Sequence, residues 1–188
     1  MVNKIKENVI FKEDAVFWLD KNGCWRNAHG KFEHNRIIDY FHSCIKRDQD
    51  GYYLSQENGN CREKVYFPYE DQALFVFDVI RQDEIALVLN TKKQIVLDPQ
   101  SLYIKDDSLY MRMRDETIKF GEYGLMKIAP LLEDEDGQFY IRLEDKRYRI
   151  PILDDSSKDP ADRQSYKESN QNMGCTDFFY PISNQNSD

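Results

Sequence analysis

The sequence predicts an α+β protein with antiparallel sheets, built from two related hairpin-helix-strand units around a central three-stranded meander. Three observations predict it. Ala73-Leu74-Phe75-Val76-Phe77-Asp78-Val79-Ile80, Ile85-Ala86-Leu87-Val88-Leu89 and Ile95-Val96-Leu97 are β-branched and aromatic runs cut by polar breaks at Arg81 to Glu84 and Asn90 to Gln94. The breaks are too short for the crossover that parallel neighbours need, so consecutive runs pair antiparallel. Ile37, Ile38, Phe41, Cys44 and Ile45 recur every three or four residues, which places them on one face of a helix over 35–47. The third observation is a recurring order of elements: hairpin, helix, Asp-x-Asp-Gly, aromatic strand, strand, proline.

Taken in order, residues 1–15 form an N-terminal segment, a short amphipathic helix or an edge strand. The first α+β unit, 16–70, opens with Val16-Phe17-Trp18-Leu19. The turn Asp20-Lys21-Asn22-Gly23 follows, of the kind that favours positive φ, and Cys24-Trp25-Arg26-Asn27 returns. Gly30 breaks the chain before the helix, and Asp48-Gln49-Asp50-Gly51 reads as the helix exit. Tyr52-Tyr53-Leu54 starts a strand, Gln56 to Asn60 a loop, and Val65-Tyr66-Phe67 a strand stopped by Pro68. The meander occupies 71–98.

The second unit, 99–153, repeats the pattern. Leu102-Tyr103-Ile104, an Asp106-Asp107 turn and Leu109-Tyr110-Met111 precede a helix from about Tyr123 to Leu132, with Leu125, Ile128, Ala129 and Leu132 on one face. Asp134 to Gly137 ends that helix, and Phe139-Tyr140-Ile141 and Arg147 to Ile150 are strands, the last stopped by Pro151. A shift of 86 positions superposes Asp20 on Asp106, Arg26 on Arg112, and Asp48, Asp50 and Gly51 on Asp134, Asp136 and Gly137. Those five identities over 38 residues compare with about two from ordinary residue usage. The helix faces match at a shift of 87, so the shared order of elements is the stronger signal. Residues 154–188 are a polar tail that holds one aromatic cluster, Phe178-Phe179-Tyr180-Pro181-Ile182.

Composition narrows the function. A net charge of −8, from 34 acidic and 26 basic residues, argues against nucleic acid, whose binding draws on clustered Lys and Arg. No run approaches the length of a membrane-spanning helix. Met1 to Glu13 lacks the apolar core of a secretory signal, so a cytoplasmic location is expected. Four irregularly spaced cysteines read as reduced thiols. Zinc ligands drawn from Cys24, His29, His34, His42, Cys44 and Cys61 would lack the close-paired spacing of such sites, and no metal or cofactor is expected.

Calcium fails on ligand count. Aligning Gly137 with the glycine of an EF-hand loop puts Leu132 first and Leu143 twelfth, and Gly51 puts Lys46 first. No nucleophile elbow, phosphate-cradling loop or His-Glu-x-x-His motif occurs. Acidic pairs such as Glu70 with Asp71 read as solvated turns. A hydrolase using His29 or His42 is the remaining enzymatic reading, and a protein without catalysis is expected.

Aromatic residues next to cations are the positive lead: Trp25-Arg26, Tyr66-Phe67-Pro68-Tyr69, Tyr110 to Arg114 and Arg147-Tyr148-Arg149. Outward aromatics with Arg make a face for a peptide or small anion, while inward ones fill the core. The expected ligand-binding residues, in a groove between the units, are Trp25, Arg26, Tyr52, Lys64, Arg112 and Tyr148. The expected partner is an unidentified small molecule or a protein, for a monomer or a homodimer. The alternative is an assembly protein that docks through Phe178, Phe179 and Tyr180.

Five motifs carry a resemblance: Asp20 to Trp25; Asn35-Arg36-Ile37-Ile38 with Phe41; Asp48 to Leu54; Glu63-Lys64; and Glu70-Asp71-Gln72-Ala73-Leu74-Phe75. Through them the chain from Trp18 to Pro151 resembles the bacterial domain-of-unknown-function 1285 family. The resemblance implies a cytosolic α+β protein with repeated motifs, a suspected part in signal transduction and no catalytic residues to assign.

Overall fold

The computed structural model describes residues 6–58 and 61–153. Its centre is the predicted meander: β8 (Leu74–Arg81), β9 (Ile85–Leu89) and β10 (Gln94–Val96) pair antiparallel in chain order. Leu74, Phe75, Val76, Val79, Leu87 and Leu89 are all buried there.

Three further strands extend the same sheet. β11 (Leu102–Lys105), β12 (Ser108–Met113) and β13 (Glu116–Phe120) form their own antiparallel meander, and β13 lies parallel to β8, giving the order β10-β9-β8-β13-β12-β11. The sequence reading omits β13, because Thr117-Ile118-Lys119-Phe120 is short and interrupted by a lysine. Its parallel pairing is feasible because the chain between β8 and β13 is long, the condition that neighbouring strands of the central meander cannot meet. The expected wholly antiparallel sheets are therefore corrected, and the six-stranded sheet runs across position 98.

The first half starts with β1 (Lys6–Ile10), the edge-strand alternative for the N-terminal segment, followed by a 3-10 turn at Lys12–Asp14. β2 (Phe17–Leu19) and β3 (Trp25–Asn27) are the predicted hairpin, and Gly30 begins a third strand, β4 (Gly30–Lys31), instead of only breaking the chain. Helix α1 spans Asn35–Ser43, and β5 (Ile45–Asp48), β6 (Gly51–Asn58) and β7 (Cys61–Tyr66) follow. The four-stranded sheet has the order β1-β7-β6-β5, with β1 parallel to β7.

The periodicity predicts a helix to Arg47, yet it ends at Ser43. Ile45 is buried opposite the equally buried Leu54 across β5 and β6, and a β-branched residue with a buried cross-strand partner favours the strand. Asp48 to Gly51 is thus a hairpin turn, with Asp48 Oδ1 accepting from the Asp50 amide at 3.0 Å, and not a helix exit.

The second helix shows the same correction. α2 (Glu122–Ile128) passes through a 3-10 turn at Ala129–Leu131, and β14 (Leu132–Glu135), β15 (Gln138–Leu143) and β16 (Lys146–Ile150) make a three-stranded antiparallel sheet. Asp136 and Gly137 take φ of 51° and 78°, the double positive φ of a tight hairpin turn. The turn falls on Asp136-Gly137 in this hairpin but on Gln49-Asp50 in the first, so the matched Asp-x-Asp-Gly segments differ by one residue in how they turn.

One core joins these elements. Trp25, Leu54, Phe67, Phe75, Leu89, Ile118, Ile128 and Ile141 belong to a single buried cluster. Two isolated parallel bridges add to it, Leu19 with Tyr69 and Ile104 with Ile152. No helix among the described residues is long and apolar enough to cross a membrane.

Candidate functional site

Lys119 organises the site. It points to the side of β13 opposite the buried Ile118 and Phe120, because strand neighbours alternate faces. Only 9 % of it is exposed, and a charge so covered needs partners. Its ammonium donates to Asp71 Oδ2 at 2.7 Å and to the Lys21 carbonyl at 2.9 Å. Tyr110, its cross-strand neighbour, donates its hydroxyl to the same Asp71 oxygen at 2.8 Å. Burial, then Asp71, pushes the Tyr110 phenol above the ordinary tyrosine range.

Neighbouring residues extend this arrangement in both directions. Tyr103 stacks on Tyr110 with centroids 5.2 Å apart and planes at 13°. Arg112 lies 4.8 Å over Tyr103, and the Lys119 ammonium 5.5 Å from the Tyr110 centroid. The face of β11, β12 and β13 thus carries two stacked rings with a cation at each end of the row, and the electron-rich ring faces attract the charges.

On the other side, Glu70 accepts from Trp18 Nε1 and from the Lys21 amide, each at 3.1 Å. Asp20 is 3 % exposed. It accepts from the amides of Asn22 and Cys24 at 2.9 Å and from Arg26 Nε at 2.6 Å. Burial alone would raise the Asp20 pKa, but the Arg26 hydrogen bond and the two amides outweigh it and hold the carboxyl below its usual range.

Between these groups lies a crevice of about 660 Å³, walled by the Lys21-Asn22 turn, Glu70 to Gln72, Tyr103, Lys105 to Ser108, Tyr110 and Lys119. It adjoins a cavity of about 470 Å³ that shares Asn22, Ser108 and Lys119 with it and reaches Arg26, Lys31 and Leu125. Lysines and carboxylates both line the crevice, and its polar surface suits a hydrophilic molecule carrying groups of either sign.

The six predicted ligand-binding residues do not converge. Trp25 is 1 % exposed. It packs against Phe17, Phe41, Phe67 and His42, and is corrected from lining residue to core residue, as large aromatics favour burial. Arg26 lines the 470 Å³ cavity. Tyr52 lines a separate cleft and donates to Glu116 at 3.0 Å. Lys64 is held by Asp48 and lies 4.4 and 4.8 Å from the centroids of Tyr53 and Tyr66. Tyr148 lines a further hollow of about 380 Å³ with Arg81 and Arg142. Arg112 joins the row of rings beside the crevice. Phe178, Phe179 and Tyr180 lie outside the described residues.

Sequence reasoning missed Asp71, Tyr103 and Lys119. The available signal is a lysine inside an Ile-Lys-Phe strand, a place where a charge is expected only with a partner. Among the described residues no group of three His, Cys, Asp or Glu gathers as metal ligands. His42 is instead buried against Trp25 and Phe77.

No protein-family model and no curated protein matches the sequence. Two solved structures align with this chain. A DUF1285 family protein from Silicibacter pomeroyi DSS-3 aligns with a TM-score of 0.50 at 17% identity, over 77% of this chain and 81% of that one. A DUF1285 family protein from Shewanella baltica OS155 aligns with a TM-score of 0.42 at 20% identity, over 59% of this chain and 87% of that one. At 17% identity the first likeness is one of fold, and in that fold the chain resembles the DUF1285 family.

Proposed function

We propose that this chain is a regulatory or ligand-sensing binding module without catalysis of its own, working in the cytoplasm in signal transduction. Its small-molecule ligand occupies the crevice beside Asp71 and Lys119. The supporting observation is the hydrogen-bonded network of Lys119, Asp71, Tyr110 and the Lys21 carbonyl, which draws both halves of the sequence into one polar wall. Asp71 and Glu70 already accept hydrogen bonds from protein groups, which suits a rigid recognition surface better than acid-base work.

The two halves are read as related units, since each runs three strands, a helix and three strands. A ligand held between them would report on their packing, which is what a sensor requires.

The test is a thermal-shift screen of the full chain against metabolites and nucleotides. A compound that binds only the folded state raises the melting temperature in proportion to the logarithm of its concentration above Kd. At least one polar metabolite is expected to do so, and a screen without any shift contradicts the reading.

A further inference from the structure

In the cavity of about 470 Å³ beside the crevice, charged donors outnumber charged acceptors. Asn22, Cys24, Arg26 and Lys31 form one wall, and Ser108, Lys119 and the start of α2 the other. Arg26 and Lys31 are directly opposed across β3 and β4, so both project from the face away from the buried Trp25. Three cations, Arg26, Lys31 and Lys119, meet two carboxylates, Asp20 and Glu122. In a chain of net charge −8 this is a local reversal of sign.

Each cation has donors left over. The Lys119 ammonium carries three N–H groups. Asp71 and the Lys21 carbonyl take two, and the third has no acceptor among the described residues. Arg26 meets Asp20 through Nε, which leaves both Nη groups of its fork without an acceptor there. Among the described residues no carboxylate lies within ion-pair distance of Lys31. The carboxylates offer little in return. Asp20 is occupied by the Asn22 and Cys24 amides and by Arg26, and Glu122 is exposed to water. Because Lys119 is nearly buried, its remaining donor gains more from a charged acceptor than it would in open water.

Resting on the crevice as the ligand site proposed above, we infer that its ligand is an anion whose oxyanion group, a phosphate or a carboxylate, sits in this cavity between Lys119, Arg26 and Lys31. Lys119 lines both spaces, so one molecule can bridge them. The rest of it reaches into the crevice, where Asp106 and Asp107 line the wall and accept from hydroxyl or amino groups. An oxyanion fits these donors because it offers several oxygens at once. The planar fork of an arginine presents paired N–H groups to two of them, and each ammonium meets another.

The probes share one body: glycerol 3-phosphate, glycerate and glycerol, each titrated into the ¹⁵N-labelled full chain. At least one of the two anions is expected to move the Cys24 and Gly121 amide resonances saturably, from opposite walls of the cavity, and to leave Gly137 in the β14–β15 turn in place. The tighter anion tells phosphate from carboxylate, and glycerol at the same concentrations should move neither amide. Lys31→Gln changes an exposed side chain without an ion pair. It should weaken the tighter anion about tenfold at unchanged melting temperature, the share of one charge-assisted hydrogen bond. Unmoved Cys24 and Gly121 resonances with both anions, equal shifts with glycerol, or undiminished binding by the variant would each overturn the oxyanion site. The thermal-shift screen separates that failure from failure of the sensing module. A neutral or cationic hit in the crevice, with both anions leaving Cys24 unmoved, removes the oxyanion site alone, whereas a screen without hits removes the module.

Discussion

Asn90 Nδ2 lies 3.2 Å from His42 Nδ1, both side chains buried, and the same amide nitrogen donates to the Ala73 carbonyl at 3.0 Å. The donor fixes the tautomer. Nδ1 accepts, so the proton sits on Nε2, and the ring also hydrogen-bonds the backbone of Gly23. One imidazole thus ties α1, the central meander and the β2–β3 turn together in its neutral form.

That neutrality predicts a pH dependence. Burial first, then the charge of Lys92, lowers the His42 pKa from 6.5 to about 4. Above pH 6.5 the ring is neutral in both states and contributes no slope. Between pH 6.5 and 4 the unfolded chain binds a proton that the folded chain refuses, so stability falls as pH falls, by roughly 3 kcal/mol in total. Urea unfolding of the wild type and of His42→Leu at pH 7.5 and 4.5 checks this. The variant starts lower, because Asn90 loses its acceptor, but its decline across that range is smaller by a comparable amount.

Gly124 carries a packing prediction. A Cβ there would stand 2.4 Å from the Val76 carbonyl oxygen, so α2 rests directly on the backbone of β8. Alanine normally favours a helix, yet Gly124→Ala is expected to destabilise by about 1–3 kcal/mol, since neither backbone can yield cheaply. Equilibrium unfolding measures it, and unchanged or raised stability would refute the close approach.

The Asp71-Lys119 pair predicts an asymmetry. Asp71→Ala leaves a nearly buried ammonium and the Tyr110 hydroxyl without their shared acceptor, at a cost of roughly 3 kcal/mol. Lys119→Met removes the charge but leaves Asp71, 23% exposed, its Tyr110 hydrogen bond and access to water. The second variant should therefore lose clearly less stability than the first.

Much of the strand pattern was legible because it depends on local chemistry. The meander, the β2–β3 turn and the Asp106-Asp107 turn each rest on runs or turn residues that act within a few positions. The helix ends at Ser43 and Ile128 were misplaced for a nonlocal reason. Ile45 fits the helical face as well as it fits a strand, and only Leu54, nine residues on, decides between them. β13 was invisible because its partner β8 lies some forty residues upstream.

The candidate site was less legible still. Glu70 and Asp71 read as a solvated turn until β13 brings Lys119 to them, and Trp25 reads as an exposed aromatic until Phe17, Phe41 and Phe67 enclose it. The matched Asp20-Arg26 and Asp106-Arg112 pairs show the limit of identity as evidence. Asp20 binds Arg26 at 2.6 Å, whereas Arg112 turns to the Tyr103 ring and Asp106 takes a positive φ in its tight turn.

The central claim, that the crevice beside Asp71 and Lys119 holds a small polar ligand, is tested most directly by isothermal titration of a thermal-shift hit into wild type and Asn22→Trp. Asn22 lines both adjoining cavities and is tied into its turn through its backbone amide, so tryptophan there fills the space and spares the Asp71-Lys119 network. The account predicts binding by the wild type and a loss of about tenfold or more in the variant at unchanged melting temperature. Equal affinity in the two proteins, or no heat of binding in the wild type, would contradict it.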